Sequence, residues 1–108
     1  LSQKGERIVF MFAEHSIKNG TPWFVFKNID NSNKARLQRT IRSFLKGLWQ
    51  SGALKGLTEE EAFVIDLVSG NDETSEQAGE FTAKIGLATK KAAEFVYFEF
   101  SKKLSDEA

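Results

Sequence analysis

The sequence predicts an α+β domain in which two main helices pack on a small mixed sheet, and three observations carry that prediction. Residues 33–50 repeat their apolar side chains at helical spacing; 62–68, 80–88 and 93–103 are strand-like; Gly, Asn and Asp clusters separate them. With 108 residues, 41% hydrophobic and one proline, the chain has the composition of a single folded domain rather than of a disordered segment. It is expected to span 1–108 as one domain and, since it starts at Leu1, to be a fragment of a longer protein.

Residues 7–18, RIVFMFAEHSIK, set Ile8, Phe12 and Ile17 near one stripe with Val9 and Ala13 beside it, so a first helix is expected, ended by Asn19-Gly20. Pro22 prevents its continuation. The following WFVFK, 23–27, is bulky and aromatic at successive positions and reads as a short central strand buried on both faces. In the second helix, Leu37, Ile41, Phe44, Leu45 and Leu48 fall at i, i+4, i+7, i+8 and i+11. Its other face carries Arg39, Arg42 and Lys46, three and four apart, as one exposed basic ridge.

GALKGLTEEEAFVI, residues 52–65, then leads from helix to sheet. Gly52 and Gly56 permit a turn, and Thr58 with Glu61 forms a Thr-x-x-Glu capping box, so these four are expected to build a structural corner. A strand over 62–68, a polar loop over 69–79 and a strand over 80–88 follow, the last with Phe81, Ala83, Ile85 and Leu87 on one face. The final strand, 93–103, is apolar on both faces: Val96, Phe98 and Phe100 on one, Phe95 and Tyr97 on the other. The element order is therefore α-β-α-β-β-β. A two-faced terminal strand is hard to cover from within so small a domain, and such edges pair with other chains. Glu94, Phe95, Val96, Tyr97, Phe98, Glu99 and Phe100 are thus the candidate inter-subunit strand.

Fifteen basic and fifteen acidic residues cancel, which argues against a general affinity for nucleic acid or an anionic membrane. The charge is segregated, however. Between Asn31 and Thr58 lie six basic residues and no acidic one, and between Glu59 and Glu80 eight acidic residues and no basic one. No apolar run approaches the ~18 residues of a membrane span.

Catalytic chemistry lacks parts. His15 is the single histidine and there is no cysteine, so the usual zinc sets and Cys-His pairs lack parts, and His15 is expected as a partly buried helix residue. DNSNK, 30–34, lacks the glycine and distant glutamate of a calcium loop and reads as a helix cap. Asp72, Glu73, Glu76 and Glu80 form an acidic loop expected to be solvated surface; a hydrolase using it is the weakest of the functional readings. No catalytic, cofactor or metal residue is assigned. Arg39, Arg42 and Lys46 with nearby Trp49 keep one alternative open, a small nucleic-acid-binding module using helix 33–50.

Taken together, TPWFVFKNIDN, LQRTIRSFLKGLWQSGALKGLTEEEAFVI and GEFTAKIGLATKKAAEFVYFEF resemble the C-terminal domain of contractile tail sheath proteins, those of tailed phages, R-type bacteriocins and contractile injection systems. The resemblance covers about residues 7–101. Its marks are the aromatic segment Trp23 to Phe26, Leu48-Trp49, Gly52 to Gly56, the acidic turn Glu59 to Val64, and Ala93 to Phe95. Two departures are TKKA, where the family often has prolines, and KNI, where it has an acidic residue and proline.

The resemblance implies a non-enzymatic structural subunit that forms a helical homo-oligomer around an inner tube and contracts to drive that tube through a target envelope. It implies an inner-layer domain whose sheet exchanges strands with neighbouring copies, the basic ridge facing the tube. Baseplate and tail terminator proteins are implied as further partners, with neither nucleic acid nor membrane insertion. The expected location is a virion tail sheath or contractile injection particle, assembled in the bacterial cytoplasm.

Overall fold

A computed structural model describes residues 2–26, 29–68, 71–89 and 95–102, with the side chains of 2–6, 25, 26, 100 and 102 outside the description. Helix α1 runs Ser2–Gly20, longer at both ends than 7–18. Its buried residues are Ala13 and Ile17, with Val9 and Phe10 half-buried. Ile8 and Phe12, expected on the core stripe, are exposed instead, so the packed face is rotated toward Val9, Phe10 and Ala13. The Thr21 hydroxyl donates to the Ile17 carbonyl at 2.8 Å at the end of the helix.

WFVFK is not a strand. Pro22–Phe26 forms a 3-10 turn, in which the Phe24 N–H donates to the Thr21 carbonyl at 3.2 Å. Pro22 brings a helical φ and has no N–H to leave unpaired, so it opens a helical turn well and a buried ladder badly. The aromatic residues are used by packing rather than pairing: Phe24 is buried 5.4 Å from the Phe81 ring, and Trp23 lies under the Arg36 guanidinium at 4.0 Å. Lys27 lies outside the described residues.

Helix α2, Asn31–Gln50, starts at an Asp30 cap whose carboxylate accepts the Asn33 N–H at 2.8 Å. Leu37, Ile41 and Leu45 are fully buried, with Phe44 and Leu48 half-buried, as the spacing predicts. After the corner come a single turn, α3 (Glu59–Ala62), and strand β1 (Phe63–Asp66), shorter than 62–68. The polar loop holds a further short helix, α4 (Glu73–Gln77), where Asp72 and Ser75 cap each other reciprocally. Strands β2 (Phe81–Leu87) and β3 (Val96–Lys102) complete the fold.

The sheet has the order β1-β2-β3 and is antiparallel throughout, not mixed, because 23–26 does not join it. Phe63 pairs with Leu87, and Ile85 with Phe98. Phe81, Ala83, Ile85 and Leu87 face the core with Phe63 and Phe98, and α2 covers them. On the opposite face the Tyr97 ring lies over Gly86, where a Cβ would come within 2.6 Å of it, and the Lys84 ammonium sits 4.9 Å from that ring. The fold is α+β, with α1 and α2 as its main helices.

Candidate functional site

The basic ridge arises from the two faces of α2. Leu37, Ile41 and Leu45 turn inward, so Arg39, Arg42 and Lys46 project outward, and all three are exposed. They are not equivalent. Arg42 Nε donates to Glu59 Oε1 at 2.9 Å, and Lys46 Nζ stands 3.7 Å from Glu59 Oε2. The Arg42 hydrogen bond, joined by the charges of Arg42 and Lys46, outweighs desolvation and holds the Glu59 carboxyl below its ordinary pKa. Among the described residues Arg39 has no ion-pair partner. Two earlier cations of the helix are also engaged: Lys34 with Glu76 at 3.1 Å and Arg36 with Trp23.

Glu59 escapes a reading of spacing alone. The available signal is that an acidic turn follows a basic helix across a short corner, which lets the chain neutralise part of its own ridge.

The corner is tightly built. Gly52 has φ 91° and Gly56 φ 122°, both in the left-handed region, and a Cβ on Gly56 would lie 2.9 Å from the Glu61 backbone. The Trp49 indole N–H donates to the Gly56 carbonyl at 2.9 Å. Thr58 Oγ1 accepts the Glu61 N–H at 3.3 Å, and Glu61 Oε1 accepts the Leu57 N–H at 3.0 Å, one residue before the N–H that a capping box uses. The Lys55 N–H donates to the Ala88 carbonyl at 2.8 Å, tying the corner to the end of β2. At its apex Leu57 is 89% exposed.

In the terminal strand, Glu94 lies outside the described residues, as does Ala93. Val96 to Phe100 lie in β3, and Phe95 immediately precedes it. Phe98 is buried, its ring 5.4 Å from Phe10 of α1, while Val96, Tyr97 and Glu99 are exposed and Phe95 is half-buried. α1 therefore covers part of the apolar surface that the sequence leaves without a partner. Among the described residues β3 pairs with β2 alone, so one backbone edge is open, and the outer edge of β1 is open in the same way.

Elsewhere the titratable residues have ordinary employment. His15 is exposed, not partly buried, and its Nε2 is 2.9 Å from the Asn19 amide. Asp72 caps α4, and Glu76 pairs with Lys34. Among the described residues no group of three His, Cys, Asp or Glu is placed to hold a metal ion.

Comparison with known proteins gives these features a family. Two solved structures resemble the chain. One is from the baseplate of the anti-feeding prophage, with 31% identity and a TM-score of 0.71, over 84% of this chain and 26% of that one. The other is from the contracted sheath complex of PVC, an extracellular contractile injection system, with 28% identity and a TM-score of 0.68, over 87% and 27% respectively. The chain thus spans about a quarter of the length of the structures it matches. No curated protein matches it. The profile of the phage tail sheath C-terminal domain matches residues 7–103, and the chain belongs to that family.

Proposed function

We propose that the chain is the inner domain of a structural subunit, not an enzyme, in a contractile tail sheath. Copies form a helical lattice around an inner tube, and contraction of the lattice drives the tube through a target envelope. The observation that carries this reading is the family match over 7–103, nearly the whole chain. Similarity to the PVC sheath complex supports it. Residues 94–100 exchange strands with a neighbouring copy, a role supported by the open edges of β1 and β3. A pairing over about five residues adds a few hydrogen bonds at ~1 kcal/mol net each, a term repeated at every lattice point.

Arg39, Arg42 and Lys46 face the tube and meet an acidic surface there, while Gly52, Gly56, Thr58 and Glu61 hold the corner. Baseplate and tail terminator proteins contact the ends of the lattice. The particle, a virion tail or an injection system, is assembled in the bacterial cytoplasm. The alternative, a nucleic-acid-binding module on α2, has less support: of the ridge cations Arg42 and Lys46 already share Glu59. Negative-stain microscopy of the full-length parent protein, with and without residues 94–108, tests the proposal. Hollow striated tubes that disappear on truncation are expected; dispersed particles from both forms would overturn it.

A further inference from the structure

Two apolar features stay largely exposed among the described residues. Leu57, 89% exposed, stands at the apex of a corner fixed on both sides, by the Trp49 hydrogen bond to the Gly56 carbonyl and by Glu61 accepting the Leu57 N–H. A leucine held out in water by so stiff a turn gives its own fold little, and its rigidity means that little freedom is lost on insertion into a partner. The second feature is the outer face of α1. Ile8, Met11 and Phe12, at i, i+3 and i+4, are 61%, 56% and 54% exposed, and the Phe12 ring is 6.0 Å from Phe44 of α2. One turn beyond Phe44, Gly47 leaves space: a Cβ there would meet nothing within 4 Å.

The two features lie on opposite flanks of α2. Arg42 and Lys46, which hold the corner through Glu59, are each two residues from Phe44, hence about 200° around the helix from it. A chain is thereby kept from filling its own face. The rim of the knob is acidic on balance, with exposed Glu60 and Glu61 against exposed Lys55 around Leu57, and exposed Arg7, without an ion pair among the described residues, flanks Ile8.

We propose that Leu57 of one copy seats on the α1–α2 face of a second copy, among Ile8, Met11, Phe12 and Phe44. The inference rests on the sheath-lattice reading and adds a contact to it that is distinct from strand exchange. Knob and face are different surfaces, so the contact is heterologous: each copy engages one neighbour through its knob and another through its face. Such a contact builds a ring or an open helix, and does not close a two-fold dimer. Met11 suits the role because its unbranched side chain adapts to what enters.

The chain has no cysteine, which makes cross-linking clean. In a full-length parent protein stripped of any other cysteine, Leu57→Cys and Met11→Cys are introduced together, and assembled particles are oxidised. A disulfide-linked ladder extending beyond dimers is expected, with either single variant giving no more than dimers. Striated tubes without a ladder overturn the contact and leave the lattice reading standing; wild-type protein that forms no tubes overturns the lattice reading, and this contact with it. As a second measurement, Leu57→Ser is expected to lower the yield of tubes by at least about tenfold with the melting temperature unchanged. An unchanged yield overturns the contact.

Discussion

The side-chain amide of Asn71 pairs with the main chain of Thr82 as a peptide group would. Asn71 Oδ1 accepts the Thr82 N–H at 2.8 Å, and Nδ2 donates to the Thr82 carbonyl at 2.8 Å and to the Leu67 carbonyl at 2.9 Å. Continuing the Asp66↔Lys84 register by two residues would set Val68 opposite Thr82. Asp66 prevents this, because its carboxylate accepts the Val68 N–H at 2.9 Å and turns the chain out of the ladder. Asn71 fills the vacated place, which is why β1 ends at Asp66 while β2 begins at Phe81.

Asn71→Ala is therefore expected to cost about 2–3 kcal/mol, the loss of three part-buried hydrogen bonds. Asn71→Asp should cost a similar amount despite its shape, since it loses both donated bonds and sets a carboxylate against two carbonyls. Urea denaturation of both variants checks this. Wild-type stability in Asn71→Asp would show that the amide is not acting as a peptide group.

The corner makes a different demand. Gly56→Ala places a Cβ 2.9 Å from the Glu61 backbone at φ 122°, so neither sterics nor dihedral can be relieved locally. A loss of about 2–4 kcal/mol is expected. Trp49→Phe, which keeps one aromatic ring but removes the indole donor to the Gly56 carbonyl and some packing volume, should cost about 1–2 kcal/mol. A Gly56→Ala variant as stable as wild type would mean that the corner is not held by the glycine. Thermal melting of each variant separates these cases.

What could be read beforehand follows the range of the interactions. α2 was legible because one apolar face repeats over about three turns and an Asp cap precedes it, both local properties. Residues 23–26 were not, because bulky aromatic side chains bury equally well from a turn or a strand, and Pro22 decided between them. The helix over 73–77 has too few residues to show periodicity, and its segment reads as a polar loop. Ile8 and Phe12 were assigned to the core because the apolar stripe of α1 is wide, and spacing cannot say which edge of it is covered. The ridge itself was plain, but its pairing with Glu59 joins residues seventeen apart across a corner, and the Asn71 clamp depends on strand register.

Glu59 carries a pH dependence of determined sign. Its carboxyl is held below the ordinary value in the folded chain, chiefly by the Arg42 hydrogen bond, so its contribution is present above the unfolded-state pKa of about 4.3 and is lost as pH falls through the lower folded value. Glu59→Gln is expected to be less stable than wild type at pH 7, with the gap closing below about pH 4. Added salt should narrow the pH 7 gap as well, because the pair is near the surface. Melting temperatures of both proteins from pH 7 to 3 test it; parallel curves would remove Glu59 as the source.

The pairing of Glu59 also decides which residue can test the tube-facing role. Reversing Arg42 would set a carboxylate beside Glu59, so any defect in assembly would mix a disturbed corner with a lost tube contact. Arg39 has no ion pair among the described residues and is exposed, and Arg39→Glu should change stability by less than about 0.5 kcal/mol. If the ridge meets an acidic tube, the same substitution turns an attraction into a repulsion at every subunit, and sheath assembly on purified tubes should fall several-fold, most steeply at low salt. Undiminished assembly of Arg39→Glu around the tube at low salt would remove the ridge from that interface, while a defect in Arg42→Glu alone would assign the role of the ridge to holding the corner.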